Sequence, residues 1–163
     1  AVNEFSDIYK VQWLAGMRAK LGIFNEEDED ESLVNELLDM MYKYHEDFTN
    51  TFRLLTLGKY EETVMGGTNE FSNWLERYKS RLSRQQEDYD ASKELMRNSN
   101  PFVIPRNHRV EEALTEAVNN RDYSVMERLM DVLSKPYAYA DEHLEYTELP
   151  KEKNKCYKTY CGT

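Results

Sequence analysis

An all-α fold, a bundle-like helical fragment, is predicted by three observations. Apolar residues recur at three- and four-residue spacing along most of the chain, capping residues or glycine and proline stand at the ends of those runs, and no stretch shows strand-like alternation. The first run is Phe5, Tyr9, Trp13, Met17 and Leu21, with Ile8 and Leu14 beside it, and Gly22 is placed to end that helix. The acidic run Glu26–Glu31 is too charged to pack and reads as a surface loop. It lacks the glycine and the alternating ligand positions of an EF-hand.

From Ser32 a second helix carries Leu33, Leu37, Leu38 and Met41 on one side, and a third begins near Asp47 with Phe48, Phe52 and Leu55. Gly66–Gly67 breaks the chain, and Thr68 or Asn69 caps a long helix through Phe71, Trp74, Leu75, Tyr78 and Leu82. Its basic residues Arg77, Lys79, Arg81 and Arg84 share that helical pattern with Glu76, Glu87 and Asp88, so a solvated, ion-paired face is expected.

The stretch NPFVIPRNH, residues 100–108, interrupts the helical pattern. Pro101 and Pro105 push their preceding residues toward extended backbone, which makes the run a rigid link between helices. Arg106 can fork onto carboxylates or exposed helix carbonyls, and Asn107 can cap a helix starting near His108. Asn100, Pro101, Arg106 and Asn107 are therefore expected to form a structural brace; the alternative is direct contact with a substrate or nucleotide.

Beyond the link, Val110, Ala113, Leu114, Ala117 and Val118 form a further stripe. Ser124 and Glu127 have capping-box spacing ahead of Met126, Leu129, Met130 and Leu133, and Pro136 stops that helix. The rest, with Pro150 and the lysines 151, 153, 155 and 158, reads as an extended tail. A helical region over 1–134 and a tail over 135–163 follow.

Composition narrows the function. At 163 residues, 32% charged and net charge −10, the chain fits one domain with a surface that repels phosphate backbones, so nucleic acid is not expected as a partner. No run approaches the ~18 apolar residues of a membrane span, and the N-terminus lacks the plan of a secretory signal. The two cysteines, Cys156 and Cys161, are too few and too terminal for a disulfide framework, which points to a reducing compartment and the cytoplasm. No phosphate-binding glycine motif, HExxH, CxxC or GxSxG occurs, and the abundant carboxylates single out no acid–base pair. No catalytic, cofactor-binding or metal-binding residue is assigned to this chain.

The segment from Asn100 to Tyr137, followed by YTELP and a cysteine close to the end, resembles the C-terminal region of the selenoprotein O family, SelO or YdiU. Asn100 and Pro101 match that family's Asn-Pro, Arg106 and Asn107 its Arg-Asn, and Asp122, Leu129, Leu133 and Pro136 its turn, helix and stop. Upstream, Asp47–Leu55, Lys20–Ile23 and Trp74 with Arg77 and Tyr78 fit in family order; His108 stands where the pattern has an aromatic. The resemblance implies the C-terminal helical part of a protein-kinase-like fold, in an enzyme that transfers AMP from ATP to protein hydroxyls with Mg²⁺. The nucleotide lobe and metal-binding residues would precede this region, leaving a non-catalytic helical scaffold whose partners are the catalytic lobe and protein substrates. Cys161, with Cys156 nearby, is the redox candidate that the family pattern suggests. A stand-alone helical interaction module is the competing expectation, and the isolated fragment could form a homodimer to cover a lobe-facing apolar patch.

Overall fold

The computed structural model describes residues 2–150, with side chains from Phe5 onward. Every described element is helical. In order they are α1 (Val2–Lys20), α2 (Asp30–Lys43), α3 (Phe48–Leu57), a 3-10 turn at Tyr60–Glu62, α4 (Asn69–Leu82), α5 (Tyr89–Ser99), α6 (Asn107–Asn119), α7 (Ser124–Ser134) and a 3-10 segment at Asp141–Thr147. The chain divides into two compact units, one running to Pro101 and the other beginning at Phe102. That division falls inside the proline-bearing link, ahead of the boundary after Ser134 drawn from the sequence. The stretch after Ser134 is not extended throughout, because it includes the 3-10 segment.

In the first unit the core is built by α1 to α5. Met17 and Leu21 of α1, Val34 and Leu37 of α2, Phe52 and Leu55 of α3, and Phe71, Trp74 and Tyr78 of α4 bury their side chains together. The three α4 aromatics lie one turn apart and stack, with ring centroids 5.7 and 5.2 Å apart. Gly22 ends α1 in the left-handed conformation at φ 70°, and Ile23 N closes the turn by donating to Arg18 O at 2.9 Å. Asp47 caps α3 through Asn50 N, and Thr68, of the two candidates, caps α4 through Phe71 N.

Two elements differ from expectation. α2 starts at Asp30, two residues before Ser32, because Asp30 turns inward. The basic helical pattern does not run on through Asp88: α4 stops at Leu82, and Asp88 caps a separate helix, α5, by accepting from Ala91 N at 2.8 Å. Gln85 in the connecting loop donates to Gly22 O and Ser92 Oγ, fixing the loop against the end of α1 and the face of α5.

In the second unit α6 and α7 pair as a helical hairpin. Arg106 occupies the N-cap of α6 and Asn107 its first turn, and neither Arg106 nor Tyr123, the N-cap of α7, provides a side-chain cap. Ser124 is the first residue of α7, where Asp122 Oδ1 accepts from its amide, so an Asx-type turn replaces the expected capping box. Of the α6 stripe only Ala113 is buried, while Leu114 and Val118 are exposed. Arg109 ties α6 to the segment after α7, donating to Glu145 O at 2.7 Å and lying over the Tyr146 ring.

The Gly66–Gly67 pair separates into two roles. A Cβ on Gly66 would run into the Tyr60 carbonyl oxygen and lie 2.9 Å from Glu61 Cα, whereas one on Gly67 would meet nothing within 4 Å. The same turn is held from the other side by Glu46, whose carboxylate accepts from Met65 N at 2.8 Å. Gly66→Ala is expected to cost about 1–3 kcal/mol through overpacking against backbone, and Gly67→Ala to stay within about 0.5 kcal/mol of wild type. Urea unfolding of the two variants side by side checks this; equal losses would contradict the close approach at Gly66.

Candidate functional site

The polar chemistry of the first unit is concentrated at two buried centres. The first is an ion pair between Asp30, fully buried at the start of α2, and Arg81, 2% exposed near the end of α4. Arg81 Nε donates to Asp30 Oδ1 at 2.6 Å and Nη2 to Oδ2 at 3.3 Å, a two-pronged pairing. Its remaining donors reach Asn25 O at 2.9 Å and Asn25 Oδ1 at 3.1 Å, and Glu27 adds a carboxylate at 3.3 Å. Asp30 Oδ2 also accepts from Glu27 N at 3.0 Å, and Arg18 stands 3.8 Å away. Thus the acidic run, expected as a surface loop, folds its fifth residue into the interior, and Arg81 leaves the expected solvated face to meet it.

Two further buried side chains close the same region onto main chain. Trp74 Nε1 donates to Leu33 O at 2.9 Å and Tyr78 OH to Leu21 O at 2.8 Å, so α4 is hydrogen-bonded to both α2 and the end of α1. Burial raises the Tyr78 phenol well above its ordinary value.

The second centre contains Asn100, where α5 ends. Its side-chain amide is fully buried and donates to Lys20 O at 2.8 Å and to Thr56 Oγ1 at 3.0 Å. Lys20 Nζ in turn donates to Ser99 O at 2.9 Å and sits over the Phe48 and Phe52 rings. Partial burial lowers the Lys20 ammonium below its usual value. Three helices, α1, α3 and α5, thereby meet on one asparagine. Pro101 follows it, whereas Arg106 and Asn107 belong to the second unit, with Asn107 exposed. Cys156 and Cys161 lie outside the described residues.

A surface pocket of 350 Å³ opens beside the ion pair, lined in part by Arg77, Arg81 and Arg84. These guanidiniums are already engaged with carboxylates: Arg77 with Glu36, Arg81 with Asp30, and Arg84 with Glu27 at 2.6 Å. The carboxyls of Glu27, Glu36 and Glu70 are each held below the ordinary carboxylate range by hydrogen bonds from Arg84, Arg77 and Lys43 respectively. A general acid needs the opposite shift. The arrangement is suited to holding helices in register and offers phosphate groups no uncommitted arginine in this pocket.

The comparison with known proteins bears on this geometry. The family described as protein adenylyltransferase SelO matches residues 1–134. The chain belongs to the SelO family. It is similar to the protein nucleotidyltransferase YdiU of Brevibacillus brevis, 59% identical over 160 residues that make up 98% of this chain and 33% of that protein. The YdiU proteins of Alkaliphilus metalliredigens and of Clostridium botulinum strain Okra are 58% and 56% identical over 99% and 100% of the chain, again 33% of each relative. The chain therefore spans about a third of the length of the curated relatives it matches. Among the described residues no helix is long and apolar enough to cross a membrane.

Two predictions arise from the buried centres. Asp30→Ala strands the Arg81 charge in the core and is expected to cost about 3–5 kcal/mol, whereas the double replacement Asp30→Leu with Arg81→Met should recover most of that loss. Denaturant midpoints of the single and double variants decide it. For Tyr78 the folded pKa lies above the unfolded one, so its contribution is complete below the unfolded value near pH 10 and declines as pH rises further. Measured between pH 9 and 11, wild type should lose about 1.4 kcal/mol more stability than Tyr78→Phe, most of it above pH 10. Parallel slopes would contradict the buried, neutral phenol.

Proposed function

We propose that these residues form the C-terminal, non-catalytic helical portion of a SelO-type protein adenylyltransferase, a cytoplasmic enzyme that moves AMP from ATP to hydroxyl side chains of proteins. The observation that carries this reading is the pairing of family membership with a candidate pocket whose arginines are already bound to carboxylates. The chain matches a third of its relatives' length, and the polar groups of its two buried centres are spent on one another and on helix ends. ATP and Mg²⁺ do not fit the candidate pocket, whose arginines are bound to carboxylates. They belong on this reading to the part of the enzyme outside these residues, and no step of the transfer is assigned to side chains here.

The role of this portion is to scaffold the catalytic lobe. Asn100, Pro101, Arg106 and Asn107 act as the brace: Asn100 locks three helix ends, Pro101 stiffens the chain as it leaves the first unit, and Arg106 with Asn107 starts α6.

The deciding measurement is the intact mass of the natural protein, captured from its source cells by an antibody to this chain. A mass well above 19.4 kDa, with ATP-dependent AMP transfer by that species, is expected. A mass near 19.4 kDa would favour a stand-alone helical interaction module instead. In the full-length enzyme, about three times this length, Arg106→Ala should lower the melting temperature by about 1–2 °C, as expected for a loss of about 1–2 kcal/mol, and leave AMP transfer intact below that temperature. Lost activity at an unchanged melting temperature would place Arg106 at substrate or nucleotide and overturn the brace.

A further inference from the structure

The N-terminal half of α1 stands clear of the core, with residues 5–12 exposed all round, while its C-terminal half is packed. Met17 and Leu21 face the core, with Trp13 and Leu14 packed partly against it. In the N-terminal half Phe5, Ile8 and Tyr9 are 70%, 62% and 62% exposed. At 3.6 residues per turn Phe5, Tyr9, Gln12 and Gly16 fall on one stripe, with Ile8 flanking it. Large apolar side chains gathered on an exposed helix face mark a contact surface.

Gly16 supplies an independent observation. Glycine inside a helix is a weaker helix former than alanine, so its place there calls for a neighbour too close for a side chain. Among the described residues there is none, because a Cβ built on Gly16 would meet nothing within 4 Å. The glycine lies on the same stripe as the exposed aromatics. A glycine beside large apolar side chains on one helix face is the arrangement that lets another backbone approach closely while the rings pack around it.

We infer that this face of α1 is covered by the part of the full-length SelO-type chain that lies outside these 163 residues, with its backbone closest at Gly16. The inference rests on the reading that the chain is a portion of a longer enzyme, and it names the surface by which the portion is held. The relatives supply the occupant: about two thirds of their length is unmatched by this chain. A covalently joined neighbour meets the stripe at high effective concentration without the entropy loss of bimolecular association. A second copy is disfavoured by area. Three such side chains offer roughly 400–500 Å², against the roughly 800 Å² that each partner contributes to a stable interface.

The test uses the natural full-length protein and acetylation of tyrosine by N-acetylimidazole, read by peptide mass spectrometry. Tyr9 should be modified at least about tenfold more slowly in the native protein than in the same protein unfolded in urea, as expected for a packed side chain. Gly16→Leu, which places a side chain in the close approach, should restore Tyr9 labelling and lower the melting temperature. If that variant does not fold, the wild-type Tyr9 rate decides alone. A native rate within about twofold of the unfolded rate leaves the face open to solvent and overturns the proposal, while the larger mass keeps the underlying reading. Protection that disappears on dilution makes the occupant a second copy and likewise overturns it. A natural mass near 19.4 kDa removes the underlying reading and the proposal together.

Discussion

The first unit depends on a single buried charge pair. Asp30 and Arg81 are 51 positions apart in sequence, and their union brings the start of α2 against the end of α4. Removing two charges from water is costly, and their mutual attraction offsets this only when the remaining donors and acceptors are satisfied. Here they are supplied by Asn25 and Glu27, both from the loop between α1 and α2. The loop is therefore part of the charge site, and its path follows from the needs of one guanidinium. Trp74 and Tyr78, two turns and one turn ahead of Arg81, extend the same logic by donating to carbonyls of α2 and of the residue after α1. Such a pair contributes less to net stability than to register, because a helix shifted by one residue would strand both charges.

Much of the fold was legible because helices announce themselves by period and by caps. The runs ending at Leu21, Met41, Leu55 and Leu82 each correspond to a core helix, and Asp47 and Thr68 do what their side chains allow. What escaped is polar and long-range. Asp30 and Arg81 sit in the most charge-dense stretches of the sequence, where composition reads as solvent-facing, and nothing local marks them as partners. α5 was hidden by the polar, charge-rich run from Arg84 to Asp90, although Asp88 ahead of a short helix-favouring run was a usable signal. In the α6 and α7 hairpin the pattern was periodic yet mostly unburied: a stripe shows which face a helix offers, and burial requires a neighbour for that face.

The candidate site follows the same division. Asn100 was picked out by the prolines beside it, but the reason for an asparagine there lies 80 and 44 positions away, at Lys20 and Thr56. A side-chain amide supplies two donors and an acceptor in one plane, and Asn100 uses them on a helix-end carbonyl, a hydroxyl and, at 3.4 Å, an ammonium. Family membership adds scale to this picture. The relatives are about three times as long as this chain, and the two buried centres use their polar groups inside the first unit.

The separation between Asp30 and Arg81 also has a temporal meaning. A chain made from its N-terminus at roughly 5–20 residues per second exposes Asp30 for several seconds before Arg81 is synthesised. Over the same interval the carbonyls of Leu21 and Leu33 wait for Tyr78 and Trp74. The first two helices thus emerge from the ribosome without the helix that completes their core, and α4 arrives as the closing piece. In that window the apolar residues of α1 have been made and the interior that will cover Met17 and Leu21 has not.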